Sequence, residues 1–253
     1  MLTVEQYAAS VVGKYQVIPE TGSAAHRAAD AVMPVLKEWA GQSLLGITLS
    51  GAYAHNTAIS LASSVDVLVS LSPIAGMEMK AVFWNLFEFL TKHDLKAGTR
   101  QVSMQVQSKG LKVDIIPVYR DPAGSGCLLH NRRSETAIRT DPARHVHLVA
   151  NSGRSQEICA IKIWRERSSL EFPSLYLELS VMQALEGERF GQLSDNISTV
   201  FRYLSGRFRT VAVRDPANSD NVVSDDLADV DKQAVAKAAH AALYEENWKK
   251  IFW

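Results

Sequence analysis

The chain has 253 residues, of which 47% are hydrophobic, so it is long enough to bury one large core or two smaller ones. Its 27 basic and 27 acidic residues cancel, which excludes a general electrostatic attraction to nucleic acid or to an anionic membrane. Two cysteines are too few for a disulfide framework, and the apolar runs are shorter than the roughly 20 residues of a bilayer crossing, so we expect a cytoplasmic protein without a secretory or membrane segment.

The first part of the chain alternates predicted helices and strands. Apolar spacing predicts a helix over residues 22–41 and a strand over 44–49 that ends at a Ser50-Gly51 turn. A nearly continuous apolar run predicts a strand over 65–71 that is buried on both faces. A helix over 77–93 follows, and a tight turn at Lys109-Gly110 joins two further strands, 101–107 and 111–118, into a hairpin.

The second part of the chain has helical spacing. The main predicted helices cover residues 158–167, 175–186, 193–204 and 230–248, and residues 215–221 are predicted to form a long loop. The change of pattern near residue 150 predicts two domains, a sheet-containing lobe over 1–150 and a helical lobe over 151–253.

Two aspartates are candidate ligands of a divalent cation. Asp66 and Asp114 each lie within an apolar strand, where a carboxylate without a partner is costly. If the strands are neighbours, both carboxylates can bind one divalent cation, and the Gly51 turn can bring backbone N–H groups to a phosphate. That geometry serves phosphoryl or nucleotidyl transfer. From spacing alone, an equally good interpretation places Asp66 at an exposed sheet rim and pairs Asp114 with a core arginine.

The order of these motifs resembles a known family. Gly51-Ala52, Asp66-Val67 and the run Leu-Lys-Val-Asp-Ile-Ile-Pro at residues 111–117 resemble the DNA polymerase beta-like nucleotidyltransferases, which have a Gly-Ser turn, an Asp-hydrophobic-Asp pair and a third Asp on a later strand. Ile-Lys-Ile-Trp-Arg at 161–165 and Pro-Ser-Leu-Tyr-Leu-Glu-Leu at 173–179 are similar to the helical half of the cGAS/DncV-like and oligoadenylate synthase-like branch. The resemblance covers residues 22 to about 245.

The resemblance implies an α/β fold with a mixed-sheet lobe, a helical lobe and a nucleotide cleft between them. It also implies Mg²⁺ or Mn²⁺ held by Asp66 and Asp114, and transfer of a nucleotide from an NTP to a hydroxyl. In this branch the products are cyclic or linear oligonucleotide signals, often in antiphage defence. A protein activator is a further partner that the resemblance allows.

The resemblance also assigns nucleotide-binding residues, each of which has a plainer interpretation. Gly51 and Ala52 would line the phosphate turn. Lys162 would hold the triphosphate, although a lysine on a solvated helix face fits the pattern as well. Ser174 would also hold the triphosphate, although its position equally predicts that it is the N-cap of a helix that begins at residue 175. Tyr176 would stack on a base, although a core tyrosine is the commoner case.

Two positions depart from the family pattern. The first catalytic acid falls on Ser64, and the serine of the Gly-Ser turn falls on Ala52. A neutral hydroxyl is a poor ligand for Mg²⁺, so we expect activity to be impaired by orders of magnitude. Whether the chain is an enzyme is therefore open: it is an impaired or variant nucleotidyltransferase, a catalytically silent nucleotide-binding or partner-binding pseudoenzyme, or a chain in which another acid completes the site. RNA-directed transfer of the tRNA or poly(A) type is a further alternative, which the zero net charge disfavours.

Overall fold

The computed structural model describes residues 2–18, 20–62, 64–74, 76–121, 124 and 126–252. The chain divides into two compact units. The sheet unit comprises Ile18–His55 and Ser63–Val146, and the helical unit comprises Met1–Val17, Asn56–Ala62 and His147–Trp253. The predicted lobes, 1–150 and 151–253, therefore differ from the units in two respects: two early segments of the chain belong to the helical unit, and the last segment of that unit begins at His147.

The sheet unit contains a seven-stranded mixed sheet. Its strands are β1 (Leu44–Ser50), β2 (Val65–Leu71), β3 (Gly98–Thr99), β4 (Met104–Ser108), β5 (Leu111–Arg120), β6 (Cys127–Asn131) and β7 (Thr136–Thr140). The order is β1-β2-β5-β4-β3, with β6 paired to β5 and β7 paired to β6. Only the β2–β5 pair is parallel among these strands.

Helices pack against this sheet. α2 (Ala24–Ala40) contacts β2, and α4 (Met79–Lys92) contacts β5, while α3 (Gly51–Ala54) is a single turn after β1. The boundary between the units falls within α5 (Pro142–Ala150), after Val146. Alternate residues of β2 are buried, and those between them, including Asp66, are half-buried. The prediction that β2 is buried on both faces is therefore wrong, because the residues between the buried ones, Asp66, Leu68 and Ser70, are only half-buried.

The helical unit contains the remaining elements. They are α1 (Val4–Tyr15), α6 (Ser155–Arg167), α7 (Ser174–Ala184), α8 (Leu193–Ser205), β8 (Arg214–Asp215), β9 (Asn218–Val222), α9 (Asp229–Leu243) and α10 (Trp248–Phe252). α1 joins this unit because its apolar side, Ala8, Val11 and Val12, packs in the core with α6 and α8. The predicted loop over 215–221 is instead a short β8–β9 hairpin. The predicted helix over 230–248 ends earlier, at Leu243, and α10 begins only at Trp248.

In the part of the chain that the structure describes, no helix has both the length and the apolar character that a membrane crossing requires.

Candidate metal and nucleotide site

The two candidate aspartates are direct neighbours in the sheet. Asp66 on β2 is in register with Asp114 on β5 across the parallel pair. Neighbouring strands lie about 4.8 Å apart, and residues in register point to the same face. Two oxygens that bind adjacent positions of one octahedral Mg²⁺ are about 3 Å apart, since each lies about 2.1 Å from the ion. The backbone therefore brings both carboxylates within reach of a single cation.

Neutral donors orient the carboxylate of Asp114. Gln105, its register partner on β4, donates from Nε2 to Oδ1 at 3.1 Å and to Oδ2 at 3.4 Å, and Ser103 Oγ donates to Oδ1 at 3.4 Å. Arg100 Nη2 in turn donates to Gln105 Oε1 at 2.7 Å. Asp114 is 9% exposed, and among the described residues it forms no ion pair with an arginine. The alternative in which a core arginine pairs with Asp114 is therefore wrong.

The Gly51 turn lies directly against Asp66. Gly51 has φ +57°, and a Cβ built there would lie 1.8 Å from Asp66 Oδ2 and 2.7 Å from its Cγ. No side chain fits in that space, so glycine is required both by the backbone angle and by the close approach of the carboxylate. The backbone that follows β1 therefore borders the carboxylate of Asp66.

A tyrosine that sequence analysis missed also lies near this carboxylate. Tyr53, on α3, is buried, and burial together with the negative charge of Asp66 raises the pKa of its hydroxyl. The phenol is therefore neutral at physiological pH. Sequence analysis could have identified Tyr53 as a site residue, because it lies only two residues after Gly51 in the chain.

The two residues that depart from the family pattern, Ser64 and Ala52, lie close in sequence to Asp66 and Gly51. Ser64 is half-buried and comes immediately before β2, and Ala52 is the second residue of α3 and is also half-buried. Among the described residues, no group of three or more His, Cys, Asp or Glu side chains is arranged to hold a metal. The pair Asp66 and Asp114 fits the carboxylate chemistry of Mg²⁺ or Mn²⁺ but supplies two acids where the family pattern has three.

Lys162, on α6, is buried inside the helical unit. It is 2% exposed, and its Nζ donates to Glu178 Oε1 at 2.7 Å, to Thr57 Oγ1 at 2.9 Å and to the Thr57 carbonyl oxygen at 3.3 Å. The interpretation of Lys162 as part of a solvated face is therefore wrong. Because an ammonium has three N–H donors, these three acceptors engage all of them. Its assignment to the triphosphate stays a prediction.

Ser174 and Tyr176 occupy different environments on α7. Ser174 is exposed as the first helical residue, and its Oγ accepts from Arg165 Nη1 at 3.2 Å. The N-cap residue is Pro173, so the N-cap prediction for Ser174 is wrong by one residue. Tyr176 is 1% exposed and stacks on Phe208 with ring centroids 5.1 Å apart. A base could stack on Tyr176 only if this packing opened.

The chain resembles solved nucleotidyltransferases along nearly its whole length. It is similar to E. coli MS115-1 CdnC with ATP (19% identity, 98% of this chain and 97% of that chain, TM-score 0.76). It is also similar to the Bradyrhizobium diazoefficiens CD-NTase CdnG with GTP (12%, 94% and 89%, 0.76) and to the Cid1 poly(U) polymerase with MgATP (12%, 98% and 98%, 0.68). The chain has the nucleotidyltransferase fold. The predicted fold class, a mixed-sheet part and a helical part, is confirmed.

These identities are low, so the likeness establishes the fold and leaves the activity to be argued from the residues. No protein-family model matches the chain, and no curated protein matches it in sequence.

Proposed function

We propose that the chain binds a nucleoside triphosphate together with Mg²⁺ or Mn²⁺ and is a nucleotidyltransferase-type protein. The observation that carries the proposal is the register of Asp66 and Asp114 on adjacent parallel strands. Two carboxylates held side by side repel each other, and a divalent cation removes that repulsion. The fold likeness to CdnC with ATP and CdnG with GTP supports a nucleotide as the ligand.

In this proposal the candidate site residues of the sheet unit have separate roles. Asp66 and Asp114 hold the cation, which neutralises phosphate charge when it is bound. Gln105 donates to both carboxylate oxygens of Asp114 from β4, on the side of β5 opposite to β2, and so fixes the orientation of that carboxylate. Backbone at Gly51 and Ala52 contacts phosphate oxygens. The predicted triphosphate contacts of Lys162 and Ser174 and the predicted base contact of Tyr176 belong to the same proposal and await a direct test.

The missing acid limits the proposed activity. A hydroxyl at Ser64 in place of a carboxylate removes one charged ligand from the cation site. If that ligand contributes about 4 kcal/mol to the transition state, the rate falls about 10³-fold. We therefore propose that nucleotide binding persists in the chain while transfer is strongly impaired.

We propose cyclic or linear oligonucleotide signals as the product class, with a role in antiphage defence. A solved structure of similar fold is a cyclic dinucleotide synthase, CdnE of Elizabethkingia meningoseptica, which supports this choice. CdnC has also been solved as a CdnC:HORMA-deltaN complex, which supports a protein activator as a partner of this chain as well. The second candidate is a silent nucleotide-binding pseudoenzyme, which the double departure at Ala52 and Ser64 favours. The third is RNA-directed transfer, which the likeness to Cid1 poly(U) polymerase supports.

The test restores the missing acid. The parent chain, Ser64→Asp and Ser64→Asp with Ala52→Ser are incubated with labelled NTPs and Mg²⁺ or Mn²⁺, with and without an RNA primer. We expect little product from the parent and an increase of about 10²-fold or more from Ser64→Asp. Asp114→Asn in the Ser64→Asp background is the control, and it should abolish the increase.

Each outcome separates the candidates. Product that needs RNA identifies RNA-directed transfer. Nucleotide binding without any product in the restored variants identifies the silent binding protein. A parent chain that binds neither NTP nor Mn²⁺ refutes the proposal.

A further inference from the structure

A groove in the helical unit is bordered by basic side chains. It lies between the end of α8, the 3₁₀ turn Arg207–Arg209 that follows it, and α9, and its volume is about 590 Å³. Arg209, Lys237 and His240 border this space, which we call the basic groove. All the residues that border it belong to the helical unit, so the groove is a feature of that unit by itself.

These basic side chains are not used by the fold. Among the described residues, Arg209 and Lys237 form no ion pair and no side-chain hydrogen bond, and both are exposed. Asp229 is the acid that borders the groove, and it forms no ion pair with either of them. Exposed charges contribute little to stability, and charges of one sign gathered together repel each other. An anion that enters the groove removes that repulsion.

The donors suit a phosphate group. A guanidinium offers a planar fork that binds two phosphate oxygens, and an ammonium offers three rotatable donors. Gln233, one turn before Lys237 on α9, adds an exposed amide without a hydrogen-bond partner in the described part of the chain. Because Arg209 belongs to the turn and Lys237 to α9, one phosphate can be bound from both walls of the groove.

An exposed aromatic side chain continues the same face of α9. Lys237, His240 and Tyr244 follow each other at intervals of three and four residues, so they lie along one side of the helix. Tyr244 is 72% exposed, and its ring centroid lies 4.8 Å from that of His240. At 1.5 Å per residue, Lys237 and Tyr244 are about 10 Å apart along the helix axis. Exposed aromatic rings of this kind stack on nucleobases.

We propose that the basic groove binds a nucleotide, with its phosphates at Arg209 and Lys237 and its base on the ring of Tyr244. A nucleotide carries phosphates and base at opposite ends, which matches the order of these side chains. The groove shares no residue with the proposed cation site, and this inference does not rest on the proposed function. Because Asp229 is the one carboxylate among the described residues that border the groove, it lacks the acid pair that transfer requires. Its occupant is therefore a regulatory ligand or a product.

The experiment measures nucleotide binding without divalent cations. Calorimetry is carried out in EDTA, which prevents cation-dependent binding at the proposed cation site. The probes are ATP, GTP, tripolyphosphate and a short single-stranded oligonucleotide. Amide hydrogen exchange over residues 205–210 and 229–240 locates the bound ligand.

The variants separate the groove from the overall charge of the protein. Arg209→Gln with Lys237→Gln removes two charges from the groove. Lys232→Gln with Lys249→Gln is the matched control, because it removes two charges from residues of the same unit that do not border the groove. The groove residues Arg209 and Lys237 are exposed, so the substitutions leave the core intact.

We expect ATP or GTP to bind the parent chain with a Kd below about 1 mM, and the groove variant to bind at least about tenfold more weakly. The control variant should stay within about twofold of the parent. Asp229→Asn should strengthen binding about twofold, because it removes the carboxylate that borders the groove. Tyr244→Ala should weaken ATP or GTP binding about fivefold and leave tripolyphosphate binding unchanged.

Several outcomes would overturn the inference. They are the absence of nucleotide binding at that concentration, and an equal loss of affinity in the groove variant and its control. Tripolyphosphate that binds as tightly as ATP and GTP would overturn the nucleotide assignment. An oligonucleotide that binds much more tightly than ATP and GTP would overturn it as well, because a single nucleotide is then not the ligand.

Asp114→Asn separates this inference from the proposed function. The variant should keep nucleotide binding in EDTA, because Asp114 does not border the groove. It should lose the NTP binding that depends on Mn²⁺. A parent chain that binds nucleotide at the groove but binds no Mn²⁺ refutes the proposed function and supports the inference.

Discussion

The close approach of Gly51 to Asp66 gives the sharpest test of the cation site. In Gly51→Ala, the new Cβ would lie 1.8 Å from Asp66 Oδ2, whereas such contacts are not seen below 3.0 Å. The carboxylate must therefore move by about 1.2 Å, or the turn must move by a similar amount. A ligand displaced this far no longer meets the distance that a cation requires, because Mg²⁺ tolerates little departure from about 2.1 Å.

We expect Gly51→Ala to weaken Mn²⁺ binding by at least about tenfold, the scale on which changes around a metal site act. We also expect it to lower the free energy of unfolding by about 1–2 kcal/mol, because alanine is strained at positive φ. Mn²⁺ binding is followed by electron paramagnetic resonance or calorimetry, and stability by denaturant unfolding.

A second glycine supplies a matched control. Gly22 also has positive φ, +78°, but a Cβ there would have no atom within 4 Å. Gly22→Ala should therefore show a similar loss of stability with unchanged Mn²⁺ binding. The reasoning is refuted if Gly51→Ala binds Mn²⁺ like the parent, or if Gly22→Ala loses binding to the same degree.

Other residues give independent predictions. Gln105→Leu should weaken Mn²⁺ binding about fivefold in titrations, because it removes a donor that orients Asp114, and unchanged binding would contradict that role. Tyr176→Phe should unfold at the same or a higher temperature, because the buried Tyr176 hydroxyl has no partner among the described residues; a loss above about 1 kcal/mol would show that it has one. Burial raises the pKa of Cys127 to about 11 and that of Cys159 to about 12, so both thiols should resist a thiol reagent at pH 8 until the protein is unfolded. Since unfolded thiols ionise near pH 9, their contribution to stability is complete below pH 9 and falls as pH rises toward 12, which urea unfolding at several pH values measures.

Much of the sheet unit follows from local pattern. The predicted strand over 65–71 has the bounds of β2, and the predicted turn at Lys109-Gly110 has φ values of +49° and +81°, as a two-residue hairpin of this kind requires. The β6–β7 hairpin was missed because its turn contains no glycine and uses Glu135 at φ +56° instead. α1 was missed although Thr3 and Gln6 form a capping box that the sequence displays.

The candidate site was harder to predict because it depends on pairing between distant strands. The sequence indicates that Asp66 and Asp114 lie on strands, but the register between those strands is set by tertiary structure. Gln105 was missed for the same reason, since its contact with Asp114 is made across a strand pair. The buried environment of Lys162 was missed because Thr57 precedes it by 105 residues, a separation at which helical periodicity gives no information.

The parallel pairing of β2 with β5 also has a consequence for how the protein folds. Parallel strands cannot be joined by a hairpin, and here α4, β3 and β4 lie between them in the chain. Contacts over such long separations form slowly, because the loop must close before the pairing stabilises it. A growing or truncated chain that ends before β5 carries Asp66 without its neighbour, so cation binding should appear only once this crossover is complete and can serve as a probe of late folding.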